Sequence, residues 1–403
     1  MTRRIAIVTV GRSDFGIYLP LLRALSDDPA CELFLIAAGA HLSSSFGNTV
    51  DCIQDAGFEV RVRVPMLIDS DTPEAIASSI GTGILKFSTL YPQMKPHVVV
   101  LLGDRFEMLA AAVAALPFAL PLAHIHGGEL SEGAIDDAIR HALTKLSHLH
   151  FASAEPHAMR IVQMGEEPWR VTISGAPSLD NLASFRALER EWFQEHYGIR
   201  LPQEFLLVTY HPVTLEYQKT EFQVTELLEA LREIGRPVVI TYPNADTGSR
   251  GIIELIEAFP RTYSKAHVVQ NLGTQAYFSL MSYASAMVGN SSSGIIEAAS
   301  FKLPVVNIGD RQKGRYHGAN VIHVGNRRDE IATGIARAVS VDFKRSLRDL
   351  ENPYARGGAA KIILQKLRDT PLDARLMVKR FYSIETPQCC FEPLSRQFHE
   401  AGS

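Results

Sequence analysis

The sequence predicts an α/β chain of two Rossmann-like domains that face each other across a central cleft. Short apolar runs alternate with stretches of helical periodicity, the pattern of parallel sheets covered by helices. The alternation occurs twice, and a polar, helical stretch rich in Glu and Arg, around Gly175 to Pro202, parts the two series. At 403 residues the chain also exceeds the roughly 100–200 residues of one ordinary domain.

The first series opens with a strand from Ile5 to Val10, then Gly11, then a helix from Ile17 to Leu25 with Leu21, Leu22 and Leu25 on one face. Further strands are predicted from Glu32 to Ala38, Val98 to Leu102, Leu122 to Ile125, Leu149 to Ala152 and Val171 to Ser174. The unbroken apolar run Val98 to Leu102 fits a parallel strand covered on both faces. The second series places strands from Phe205 to Thr209, Pro237 to Thr241, Ala266 to Val269, Ala286 to Val288, Val305 to Asn307 and Val321 to His323. The N-terminal domain is expected over 1–172 and the C-terminal domain over 173–371. A helix at about 372–385 would cross back onto the first domain, and the tail after Thr386 is expected to be loosely ordered.

Apolar residues make 46% of the chain and charged residues 21%, values of a chain that folds. A net charge of -4 leaves no global basic field, which argues against nucleic acid or an anionic membrane as partner. The longest mainly apolar run, Met108 to Ala123, contains Pro117 and Pro121 and is shorter than the roughly 20 residues of a membrane span. The residues after Arg3 and Arg4 are too few for a signal-peptide core, so a cytoplasmic protein is expected. Cys31, Cys52, Cys389 and Cys390 show no CxxC spacing, and the last two are adjacent, so neither a disulfide nor a zinc site is indicated.

Open parallel sheets bind ligands outside the carboxyl ends of their strands, so the chemistry is sought in those loops. Gly289, Asn290, Ser291, Ser292, Ser293 and Gly294 stand between an apolar strand and a predicted helix from Ile295 to Ser300. Small residues let backbone N–H groups approach an anion, and three hydroxyls add donors, which suits a diphosphate. A Ser-rich turn that only caps the helix is the competing reading. Glu297, one turn in, would repel phosphate and is assigned to sugar hydroxyls, with ribose the natural candidate. Gly11 to Gly16 presents Arg12 and Asp14 at the cleft mouth, although Asp14 could equally be a helix cap.

Asp104 and Arg105 leave the sheet together after Leu102, as a solvated pair or as part of a site. The next strand runs into His124, His126 and Glu129, with Asp136 and Asp137 following. Such crowding shifts pKa values and lets one carboxylate act as base while a neighbour stays protonated as acid. His124 and His126 alternate as half a metal site would, but no third ligand stands at a suitable spacing, and no metal is expected. In the second series His211 follows one strand and Asn244 another. His211 could donate to a phosphate or leaving oxygen, as imidazolium or neutral donor, or simply be packed. Arg311 adds a phosphate contact.

Taken in order, GRSDFG, LLGDRFEMLAAA, HIHGGELSEGAIDDAIRHALTKLSH, YHPVT, PNADTGS, GNSSSG and PVVNIGDRQKGR resemble the hydrolysing UDP-N-acetylglucosamine 2-epimerases of sialic and legionaminic acid biosynthesis. The resemblance covers about residues 3 to 385. It implies the two-domain GT-B fold, no metal or redox cofactor, a UDP-sugar substrate and a homo-oligomer, dimer or tetramer, with the helix from Asp136 to Leu146 a possible interface element. It implies that Arg12, His211, Ser291, Ser292, Glu297 and Arg311 hold the nucleotide and diphosphate, and that Asp104 and Asp136 are the acid and base carboxylates. Some relatives carry Glu in an HIEGG segment where this chain has His126. The third catalytic role then falls to His126 or to Glu129, or the change follows a different sugar at carbon 4.

The implied reaction is loss of UDP from carbon 1 and of the proton from carbon 2, giving a glycal, followed by hydration to the free manno-configured sugar. The product would be N-acetylmannosamine or its 4-acetamido-4,6-dideoxy relative. A glycosyltransferase, a non-hydrolysing epimerase and a catalytically silent nucleotide-sugar sensor are the alternatives.

Overall fold

The computed structural model describes residues 2–384 apart from 45, 46, 245 and 271. Among these residues two sheets form, and every strand pairing in them is parallel. The first contains β1 (Arg3–Thr9), β2 (Cys31–Ala38), β3 (Val60–Val64), β4 (Val98–Leu102), β5 (Leu122–Ile125), β6 (Leu149–Ala152) and β7 (Val171–Ile173), in the order β3-β2-β1-β4-β5-β6-β7. The second contains β8 (Leu206–Thr209), β9 (Val238–Thr241), β10 (Ala266–Val269), β11 (Ala286–Gly289), β12 (Val305–Ile308) and β13 (Val321–Val324), in the order β10-β9-β8-β11-β12-β13. Both are doubly wound sheets, and together they form the expected two-domain fold.

The strand order reverses between β1 and β4 in one sheet and between β8 and β11 in the other. At such a switch point the helices leave to opposite faces, and the crevice they open at the carboxyl edge receives ligand. The loops at the two crevices begin with Val10 and Gly103 on one side and with Tyr210 and Asn290 on the other.

All strands expected from the sequence are present with ends within a few residues, and β3 is additional. It pairs only with β2 at the sheet's edge, and its Val residues alternate with the exposed Arg61 and Arg63. The first helix starts at Arg12, not Ile17, and spans Arg12–Asp27. Gly11 is extended there, and its carbonyl accepts from the Phe15 amide at 3.1 Å. Asp14 therefore lies inside the first turn and does not cap it.

The chain returns to the first sheet earlier than the sequence suggests. The helix Ala359–Asp369 packs against the helix Arg12–Asp27, and Ala360, Ile363 and Leu367 join the first core. Its first amides, of Gly358, Ala359 and Ala360, donate to the Asp180 carboxylate at 3.0, 3.1 and 2.7 Å, which satisfies groups a helix leaves open. The helix expected at about 372–385 is corrected to one turn, Ala374–Met377, with no helix from Val378 to Ile384. The buried Arg170 guanidinium donates to the carbonyls of Arg375, Leu376 and Val378 at 2.9, 2.7 and 3.1 Å. These contacts hold the segment against the first domain. Residue 385, the tail after Thr386, Cys389 and Cys390 lie outside the described residues; Cys31 and Cys52 are free thiols. Among the described residues no helix is long and apolar enough to cross a membrane.

Candidate active site

A cavity of about 300 Å³ lies between the carboxyl edges of the two sheets. Arg12 and Asp14 reach it after β1, Asp104 and Arg105 after β4, and His126 and Glu129 after β5. From the facing sheet come His211 after β8, Asn244 after β9, Ser291, Ser292, Ser293 and Glu297 after β11, and Arg311 after β12. Asp136 completes the set from the helix Ile135–Leu146. Gly294 is the one candidate that does not line the cavity. Its amide donates to the Ser291 carbonyl at 3.1 Å, and a side chain there would stand 2.9 Å from Val305. Close packing of the turn on β12 explains this glycine better than ligand approach does.

The serine loop is rigidly placed. Gly289 has φ +137°, and a Cβ at that position would lie 2.0 Å from the Thr209 carbonyl oxygen, so β11 and β8 approach here as only glycine permits. Asn290 ties the two strand ends, accepting from the His211 amide at 2.7 Å and donating to the His211 carbonyl at 2.8 Å. The Ser291 hydroxyl accepts from the Ser293 amide at 3.3 Å and lies 2.8 Å from the Ser293 hydroxyl, which lies 2.7 Å from Tyr277. Arg311 donates to the Asn290 carbonyl at 3.2 Å and keeps a buried Nε without a partner; Arg12 keeps one buried guanidinium nitrogen unspent. Fixed cations with unused N–H groups beside a hydroxyl-rich bend suit an oxyanion.

His211 is a neutral donor. Burial, with Arg311 second, pushes its pKa down to about 3, which favours the neutral imidazole. Its Nδ1 accepts from the Asn244 amide at 3.1 Å, so Nε2 carries the proton. Glu297 receives the Ser178 hydroxyl at 2.5 Å, yet burial raises its pKa to about 7.

Opposite lies the acidic half. Asp104 is ion-paired with Arg140, which also donates to the Ser131 hydroxyl at 3.1 Å. Burial, then the neighbouring Asp104 and Asp246, push Asp136 up to about 7. Asp14 rises to about 7 for the same first reason, despite Arg105. The Arg105 guanidinium is committed to Asp246, across the cleft, and to Glu107 at 3.4 Å, so its place is in a cross-cleft tie. Glu129 accepts from the Ser153 hydroxyl at 2.5 Å, lies 2.5 Å from His126 Nδ1, and pairs with Arg315 from the facing domain. Burial works to raise the Glu129 pKa, but Arg315 and then His126 outweigh it and hold the carboxyl well below its ordinary range. His124 turns away, with Nε2 2.7 Å from the Gly103 carbonyl. Among the described residues no group of three His, Cys, Asp or Glu is arranged to hold a metal ion.

Arg140, Arg315 and Asp246 were not among the candidates. Arg140 follows Asp136 by four positions, one helical turn on the same face, and that spacing could have found it. Arg315 follows Arg311 by four in GDRQKGR, but its partner Glu129 is 186 positions away.

The family model described as UDP-N-acetylglucosamine 2-epimerase matches residues 23–368. A Legionella pneumophila protein named UDP-N,N'-diacetylbacillosamine 2-epimerase (hydrolyzing) is 35% identical over 379 residues, 94% of this chain and 99% of that protein. A Campylobacter jejuni protein named GDP/UDP-N,N'-diacetylbacillosamine 2-epimerase (hydrolyzing) is 37% identical over 346 residues, 85% of this chain and 89% of that one. The fold is similar to that of the Neisseria meningitidis UDP-GlcNAc 2-epimerase solved bound to UDP-GlcNAc. The TM-score is 0.76 at 17% identity, covering 92% of this chain and 100% of that one. With two doubly wound sheets, a cleft at both switch points and a match over most of its length, the chain belongs to the UDP-N-acetylglucosamine 2-epimerase family of enzymes.

Proposed function

We propose that this enzyme is a hydrolysing 2-epimerase that takes a UDP-2-acetamido sugar and releases UDP and the free manno-configured sugar. The substrate is UDP-N-acetylglucosamine or its 4-acetamido-4,6-dideoxy analogue, UDP-N,N'-diacetylbacillosamine. The names of the two relatives favour the second. The observation that carries the proposal is one cavity with the serine loop and unspent nitrogens of Arg12 and Arg311 at one end and Asp104, Asp136 and the His126–Glu129 pair at the other.

The pyrophosphate is held by Arg12, Arg311, neutral His211 and Ser291 to Ser293, with Glu297 on the ribose and Asn244 nearby. Elimination breaks the C2–H and C1–O bonds and makes carbon 2 planar. A protonated Asp136 then supplies a proton from the opposite face, and the ion-paired Asp104 is the group that takes the first one. UDP leaves into a field of fixed donors. The enzyme works in the cytoplasm as a homo-oligomer, dimer or tetramer.

Proton NMR in deuterium oxide tests the reading with each UDP-sugar in turn. The expected result is release of UDP and of a free manno sugar carrying deuterium at carbon 2, with no acceptor present. An epimerised sugar still attached to UDP would instead mark a non-hydrolysing enzyme. Turnover only on addition of an acceptor would mark a glycosyltransferase, and binding without turnover a sensor.

A further inference from the structure

Three observations converge on His126. It is 5% exposed, lines the cavity, and its Nε2 is buried without a partner. Its Nδ1 is 2.5 Å from Glu129, so a carboxylate holds the Nδ1–H and leaves Nε2 with a lone pair. Its φ is +64°, an uncommon backbone conformation outside glycine. Glu129 is in turn fixed by the Ser153 hydroxyl and, from the other domain, by Arg315.

The reaction's proton count leaves a role open. In the elimination a carboxylate takes the carbon 2 proton, the C–H electron pair becomes the C1=C2 bond, and UDP departs with the C1–O pair. In the hydration the π pair takes a proton from a carboxyl group on the opposite face of carbon 2, while a water oxygen bonds carbon 1. One carboxyl has then gained a proton and the other is the donor at carbon 2. The carboxyl protonated in the elimination cannot take the proton shed by water, and the other is still engaged at carbon 2 while water adds, so a separate base beside carbon 1 is the open role.

We propose that His126 is that base, a catalytic residue whose Nε2 takes the proton of the water adding to carbon 1, oriented by Glu129. Arg315 is a positioning residue: it reaches Glu129 from the facing domain. This rests on the hydrolysing reading above. The imidazolium formed faces Glu129 and returns its proton to solvent as products leave.

The test is His126→Gly in the full chain, assayed separately for UDP, glycal and free sugar. Glycine adopts φ +64° without strain, so the variant removes the imidazole with little demand on the backbone. Free-sugar formation is expected to fall at least about 100-fold, with UDP release less affected, the glycal's vinyl proton visible by NMR, and added imidazole restoring free sugar. Free sugar within about threefold of wild type would overturn the proposal. So would a variant that binds UDP normally yet forms neither UDP nor glycal, because His126 would then serve the elimination. Should the glycine variant not fold, His126→Asn is read by the same outcomes, since Asn tolerates positive φ.

Arg315→Met tests the positioning role through the pH profile of kcat for free sugar. The groups facing Glu129 are His126, His157 with its Nδ1 at 3.9 Å, and Arg315, with Tyr354 beyond. Without Arg315 the buried carboxyl protonates at higher pH, so the acidic limb moves up toward neutrality, and Arg315→Lys largely restores it. An unmoved limb would refute the positioning role. If wild type itself released no UDP from either sugar, the epimerase reading would fail, independently of His126.

Discussion

Asp136 carries a pH dependence with a definite sign. Burial and the facing Asp104 and Asp246 raise its pKa to about 7, and in its proposed role as acid it works only while protonated. The rate of free-sugar formation is therefore expected to fall as pH rises through about 7, and a rate still climbing well above neutrality in a pH-rate profile would exclude Asp136 as the acid. Asp136→Asn should cost about 10²–10⁴ in kcat with UDP affinity, measured calorimetrically, little changed. The raised carboxyls also act on stability. Asp14, Asp136 and Glu297 each have a folded pKa of about 7, above their unfolded range, so their contribution is full at low pH and is lost as pH rises toward 7. At this scale the sequence named fourteen of the cavity's side chains, because strand ends and loops are visible in it. It did not name Arg315, whose partner Glu129 is 186 positions away, and it passed over Arg140, one helical turn after Asp136.

Among the elements, the segment that returns to the first sheet is the most informative. Glu166 is fully buried and receives Lys145 at 2.6 Å, Lys379 at 2.8 Å and His150 at 3.1 Å, so the returning chain is tied by its Lys379 to β6 and the helix before it. Burial opposes the charge, but these hydrogen bonds outweigh it and hold the Glu166 pKa at about 2. A lowered carboxyl gives stability above its ordinary value of 4.5 that is lost as pH falls toward about 2. Glu166→Gln is expected to cost on the order of 3 kcal/mol, seen as a lower denaturation midpoint whose gap from wild type closes on acidification. Strand positions were readable because buried parallel strands are continuous apolar runs. β3 was not, since an edge strand alternates Val with Arg and is only five residues long. The crossing helix was misplaced because what holds the segment around Leu376 is Arg170, 205 to 208 positions upstream, a partner that local periodicity does not show.

Seen whole, the molecule is closed by charges that span its cleft: Arg105 with Asp246, and Arg315 with Glu129. Each is almost wholly buried, so opening must rehydrate them, and each partner lost would leave the other stranded. Asp246→Asn is expected to favour the open form, giving a larger radius of gyration by small-angle scattering and a raised KM; an unchanged scattering curve would argue against the tie. That two sheets exist was legible in the order of apolar runs. That Asp104 and the bend after Gly289 share one cavity was expected through the family resemblance, since apolar runs alone do not report how two domains pack. The docking of Leu376 on Arg170, 206 positions upstream, sets a timetable for biosynthesis. At about 5–20 residues per second a ribosome needs roughly 10–40 s to span that interval. For nearly all of it the nascent N-terminal half lacks Ile363 and Leu367, which finish its core.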